Sequence, residues 1–195
     1  MYNEPPRSAP GDGFELTAQE IPRTDAAQKI DTGAIRRAQL VLAIDPGTEL
    51  SGWCVFDGET VAAAGVMSNE ELLAYLQRSH FYVNGYRLAV EMVASYGMPV
   101  GREVFETVRW IGRFQQAWHA PEAVELVYRK DVKMHLCGSP RAKDPNIRQA
   151  LLDLFPRTGG GKTPQIGTKA KPGPLYGVSS HAWAALAVAV YVCKA

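Results

Sequence analysis

Leu40-Val41-Leu42-Ala43-Ile44-Asp45-Pro46-Gly47 is the stretch on which the fold turns. Five apolar residues closed by Asp-Pro-Gly read as a buried strand running into a turn, with a carboxylate at the strand's C-terminal end. Open α/β sheets place their sites at such strand ends. Asp-Pro-Gly is also simply a good turn sequence, so Asp45 alone does not separate structure from function. Downstream, residues 51–56 read as a second strand closed by the hairpin pair Asp57-Gly58, and residues 60–67 as a third. Ser68 and Glu71 stand at the N-cap and capping-box positions of a helix running to about Arg78. A fourth strand, residues 86–93, carries Glu91. A long helix over 101–119 shows Val104, Val108, Ile111 and Phe114 at helical spacing. A fifth strand at 124–128, helices at 131–136 and 146–154, a Gly/Pro/Lys-rich loop at 157–178 and a last helix to about 192, capped by Ser179 or Ser180, complete the order. Three hairpin-linked strands followed by alternating helix and strand predict an α/β fold with a mixed five-stranded sheet flanked by helices.

The chain has 195 residues, 46% hydrophobic and 21% charged, which suits one globular domain and excludes a wholly disordered or collagen-like chain. Residues 1–38, with Pro5, Pro6, Pro10 and Pro22 and no sustained period, read as a disordered or loosely ordered tail with a possible short helix at 24–37. The ordered domain is expected over 39–195. Three scattered cysteines and no CxxC argue against a disulfide framework or zinc site. No signal-peptide pattern opens the chain, and the apolar run at 182–193 is too short for a bilayer. The expectation is a cytoplasmic protein without a membrane partner.

The net charge of +1 conceals segregation. Residues 39–128 hold 11 acidic and 5 basic residues, whereas residues 129–171 hold 3 acidic and 10 basic. The halves either neutralise each other, or an acidic metal site lies beside a basic surface that holds a polyanion. Glu91 ends the apolar run Leu88-Ala89-Val90, where an acid is costly unless paired, exposed or metal-bound. If the first and fourth strands are neighbours, Asp45 and Glu91 face each other. Two converging carboxylates repel, and a divalent cation resolves this; an arginine partner for Glu91 does so as well. His181 falls in the first turn of the apolar last helix, as a site residue or as a packing one. Trp183 reads as core. Arg129, Lys130, Lys133, Arg141, Lys143, Arg148, Lys162, Lys169 and Lys171 suit a surface tracking a phosphate backbone, or a merely solvated one. Tyr176 and Trp118 are possible stacking residues. Gly159-Gly160-Gly161-Lys162-Thr163 ends like a P-loop, but Pro156 stands where the first glycine belongs and a helix precedes it, so no nucleotide cofactor is expected.

Leu42-Ala43-Ile44-Asp45-Pro46-Gly47-Thr48 with Ser51-Gly52-Trp53 resembles the first motif of RuvC-type Holliday-junction resolvases. Leu88-Ala89-Val90-Glu91 resembles their second acidic strand. Val132-Lys133, Gly138, Ala142-Lys143-Asp144 and Ile147-Arg148 resemble their basic region, and Ala185-Leu186-Ala187-Val188-Ala189 the start of their last helix. Tyr96-Gly97-Met98-Pro99-Val100-Gly101 and Pro172-Gly173-Pro174-Leu175-Tyr176-Gly177-Val178 are most like the phage-borne branch. The resemblance covers about residues 40–193. It implies an RNase H-like fold and a homodimer that nicks branched DNA with divalent cations, Mg²⁺ or Mn²⁺, two ions in all. It implies Asp45, Glu91 and His181 as metal ligands and Lys133 and Lys143 as aids at the scissile phosphate. Arg129, Lys130, Arg141, Arg148, Lys169 and Lys171 are then the DNA-binding bases. Many relatives carry a further acid three residues after the His181 position, where this chain has Ala184; Asp131 and Asp144 are other candidate acids, though the resemblance assigns neither. Competing readings are a YqgF-like nuclease acting on RNA and a non-catalytic junction-binding protein. An actin-like ATP-binding fold needs a longer chain.

Overall fold

The computed structural model describes residues 40–195 except 78–80, 82–84, 96 and 98. The tail expected over residues 1–38, with its short helix, lies outside the described residues. Among the described residues, five strands form one sheet: β1 (Val41–Asp45), β2 (Leu50–Phe56), β3 (Val61–Ser68), β4 (Arg87–Met92) and β5 (Glu125–Tyr128). Their order is β3-β2-β1-β4-β5. β1, β2 and β3 pair antiparallel, whereas β4 pairs parallel with β1 and β5 parallel with β4. The helices are α1 (Asn69–Leu76), α2 (Arg102–Ala117), α3 (Arg129–Cys137), α4 (Asp144–Leu154) and α5 (Ala182–Lys194). This is the mixed, helix-flanked sheet that the sequence predicts.

Each strand end follows from local chemistry. Asp57 accepts the backbone N–H groups of Glu59 and Thr60 at 2.8 and 2.6 Å, and Gly58 takes φ 97, closing the β2–β3 turn. Ser68 caps α1 and Glu71 reaches back to the Ser68 N–H at 3.0 Å, forming the expected capping box. Two sequence expectations change. On α2 the buried residues are Thr107, Trp110, Ile111 and Phe114, whereas Val108, on the edge of that stripe, is 37% exposed. The last helix is not capped by a serine hydroxyl. Its N-cap is His181, and the Ala182 and Trp183 N–H groups bond the Ser179 and Ser180 carbonyls through a preceding turn.

The period of two along the strands divides the core in two. Leu42, Ile44, Trp53, Val55, Leu88 and Val90 face α1 and α2, together with Phe81, Trp110, Phe114 and Trp118. Trp118, a possible base-stacking residue by sequence, is buried there against Phe81, with ring centroids 5.5 Å apart. Its apolar surface is worth more in the core than on the outside. Val41, Ala43, Cys54, Phe56, Ala89 and Val127 face α5 and its neighbours. Burial pushes the Cys54 thiol up to about 12, so it stays protonated and packs as a small apolar group. Continuing the alternation carries β1 from Val41 and Ala43 to Asp45 and β4 from Ala89 to Glu91. Both acids therefore fall on the α5 face.

Candidate active site

Asp45, Glu91 and His181 meet in one cleft of about 420 Å³. Parallel pairing of Ile44 with Val90 puts Asp45 and Glu91 side by side at the ends of β1 and β4. His181 arrives from the N-cap of α5, and its Nδ1 lies 3.2 Å from Asp45 Oδ2. Gly52 allows this approach. It pairs with Asp45 across β1–β2, and a Cβ on it would stand 2.4 Å from the His181 carbonyl carbon and oxygen. Only a residue without a side chain leaves room for the start of α5. Ser180, just before His181, takes φ 44, a left-handed conformation that costs a non-glycine residue on the order of 1 kcal/mol.

The cleft is short of positive charge. Burial raises the Asp45 carboxyl above its ordinary value, although the hydrogen bond and charge of His181 pull the other way. Burial and the Asp45 charge push Glu91 up to about 7, despite Arg129. Arg129, the first residue of α3, sends Nη1 to both Glu91 oxygens, at 2.9 and 3.1 Å. Its Nη2 binds Asp144 Oδ1 at 2.7 Å. Burial works against its charge, yet Glu91 and Asp144 drive the guanidinium pKa further up, so Arg129 is a permanent cation. The arginine partner for Glu91 that the strand position allows is thus present.

Other expected residues divide by place. Asp144 and Arg148 line the cleft, as does Ala184. Asp131 is exposed and is not among the cleft-lining residues. Arg148 lies 4.7 Å above the Trp183 ring, and Trp183, read from sequence as core, is half-buried in the cleft wall. Lys130 and Lys133 border a smaller hollow of about 240 Å³ beside Arg129. Lys143 is exposed at the N-cap of α4, its backbone N–H held by Asn146 Oδ1 at 2.9 Å. Arg141, Lys169 and Lys171 are exposed. The glycines of the 157–178 loop serve its own packing. Gly160 N–H donates to the Lys171 carbonyl at 2.9 Å, and a Cβ on Gly173 would meet the Pro164 carbonyl oxygen at 2.3 Å.

Three features of this cleft are not read from the sequence. Arg129 stands among the candidate DNA-binding bases, but its pairing with Glu91 depends on β5 lying beside β4, with Val127 opposite Glu91. Gly52 lay within the first motif without an assigned task. The Arg148–Trp183 stack joins two helices and has no local signal.

Hard oxygen donors beside one imidazole suit Mg²⁺ or Mn²⁺. Asp45 with His181 fits one such ion, whereas Glu91 is taken up by Arg129. Among the described residues, no group of three or more His, Cys, Asp or Glu is arranged to hold a metal.

The sheet order, the flanking helices and the strand-end acids define an RNase H-like α/β fold. More particularly, the fold is of the RuvC type. The chain is similar to the Thermus thermophilus RuvC structure with a TM-score of 0.56 and 19% identity, covering 78% of this chain and 92% of that one. It is similar also to T. thermophilus RuvC in complex with Holliday junction substrate, with a TM-score of 0.55, 19% identity and the same coverage. No protein-family model and no curated protein matches the sequence. No helix among the described residues is long and apolar enough to cross a membrane.

Proposed function

We propose that the protein is a metal-dependent, structure-selective endonuclease that resolves four-way or branched DNA by paired phosphodiester nicks. The observation that carries this is the convergence of Asp45, Glu91 and His181 from three separate elements on one cleft of a RuvC-type fold, next to the most basic part of the chain. The neighbour in complex with a Holliday junction substrate supports the choice of DNA.

A divalent cation, Mg²⁺ or Mn²⁺, supplies Lewis acidity for phosphodiester hydrolysis when bound. Asp45 and His181 would hold it. His181 Nδ1, the ring nitrogen beside Asp45, would give its lone pair to that ion, leaving Nε2 to carry the ring proton. Arg129 holds and orients Glu91 on the cleft floor. Lys133 and Lys143 add positive charge near the phosphate. Lys130, Arg141, Arg148, Lys169 and Lys171 track the flanking backbone, with affinity that falls steeply with salt. Paired nicks call for two sites related by symmetry, hence a homodimer. The exposed Phe105 and Val108 on α2 offer it an apolar face.

The test is nicking of a synthetic four-way junction in Mg²⁺ and in Mn²⁺. Asp45→Asn should abolish cleavage, by at least ~100-fold, while junction binding survives. Loss of both would overturn the catalytic role of Asp45. Faster cleavage of structured RNA than of the junction would favour an RNA nuclease. The ion pair on Glu91 and the alanine at 184 favour one second reading, a non-catalytic junction binder. Metal-independent binding without nicking at any cation concentration would establish that reading.

A further inference from the structure

We infer that Arg129 is the built-in second cation of this centre, so that the cleft takes one divalent ion, at Asp45 and His181, rather than two. The inference rests on the nuclease reading and deepens it.

The geometry of the guanidinium comes first. One nitrogen of Arg129 engages both oxygens of Glu91, and another engages Asp144 at 2.7 Å. A single fixed charge therefore ties together two carboxylates from β4 and α4. Glu91 is 7% exposed, so breaking this pair would leave a buried, uncompensated charge. The pair is a standing part of the cleft floor.

Charge balance comes second. Asp45, Glu91 and Asp144 are the carboxylates lining the cleft, and Arg129 and Arg148 are the arginines. Arg148 is stacked over Trp183 at the exposed wall and makes no ion pair among the described residues. Its charge is screened by water, as is that of Asp144, whose side chain is 73% exposed. The shielded charges are Asp45, Glu91 and Arg129, one net negative charge, which a single divalent ion already offsets. A second divalent ion would add two more positive charges to a half-buried cleft.

The missing ligand comes third. The position one helical turn beyond His181, on the same face of α5, is Ala184, and it lines the cleft with a methyl group. No carboxylate there offers a second ion a support. The guanidinium and the alanine are thus complementary: where one centre would use an acid and an ion, this one uses an arginine alone.

The probe is Mn²⁺ titrated into the full chain by calorimetry, with electron paramagnetic resonance of the bound ion. Wild type should bind one Mn²⁺ per chain with a six-line mononuclear spectrum. Glu91→Gln should still bind one ion, within about 3-fold of the wild-type Kd. Asp45→Asn should weaken binding by at least ~10-fold. The double variant Arg129→Met with Ala184→Asp should bind two ions with an exchange-coupled spectrum. Two coupled ions per wild-type chain would overturn the inference, and so would loss of the ion in a folded Glu91→Gln. These single-site results stand even if the double variant does not fold. Junction nicking measured on the same samples separates the two ideas. Nicking with two coupled ions sinks the one-ion inference and spares the nuclease; one bound ion without nicking keeps the inference and sinks the nuclease.

Discussion

The two faces of the sheet are built from different materials. The face under α1 and α2 is packed with large rings, Trp53, Phe81, Trp110, Phe114 and Trp118. The face under α5 meets a helix of small residues, in which Ala182, Ala185, Ala187 and Ala189 are buried. Large side chains hold a helix away from a sheet and fill the gap. Small ones let the backbone approach, and at Gly52 it comes so close that no Cβ fits. That close approach brings His181 to Asp45. The ring-filled face contributes stability, and the small-residue face contributes the candidate site.

Substitutions on the two faces should therefore fail differently. The largest effect is expected from Phe114→Ala, which empties a fully buried ring site and should cost about 3–5 kcal/mol in chemical denaturation. Specific cleavage per folded molecule should change less than 3-fold. A loss of cleavage at full folding would show that α2 supports the site directly. Gly52→Ala should be the converse. Its methyl would collide with backbone rather than with a flexible side chain, and it should cost cleavage at least ~10-fold. Its stability loss, about 1–3 kcal/mol, should be smaller than that of Phe114→Ala. Equal cleavage by Gly52→Ala would show that the placement of His181 beside Asp45 does not matter.

A third contrast lies in pH. Burial raises Asp45, and burial with the Asp45 charge raises Glu91 from 4.5 to about 7. A raised carboxyl holds its proton longer in the fold than in the unfolded chain. Between about pH 4 and pH 7 the folded state thus binds more protons, and stability falls as pH rises through this window. In EDTA, the Tm should decline from pH 4.5 to 7, and Glu91→Gln should flatten most of that decline. A Tm that climbs over the same range would contradict the charge shortage in the cleft. The smallest effect is expected from Ser68→Ala, which is not among the cleft-lining residues and removes the capping box of α1. It should cost about 1 kcal/mol and leave cleavage unchanged.

Much of this arrangement is legible in one dimension. Apolar runs end at Asp45 and Glu91, and Ser68 with Glu71 announces α1. These signals are local, because alternation, caps and turns depend on residues within one turn or one strand. The buried face of α2 was misjudged at Val108 because helical spacing marks an apolar stripe but not which edge of it a neighbour covers. The serines before α5 have capping chemistry, but the turn at Ser179–His181 satisfies the first N–H groups with backbone carbonyls instead.

From its order of residues alone, the chain settles a mixed α/β sheet with two acids at strand ends and a basic segment after them. Local stereochemistry and the burial of apolar runs suffice for that. The tertiary structure decides which charges meet. Arg129 lies 38 residues from Glu91 and 15 from Asp144, and His181 lies 136 from Asp45. Electrostatic pairing acts through space, so a basic residue that looks free in the sequence becomes the counter-ion of an acidic cleft once β4, β5 and α4 converge.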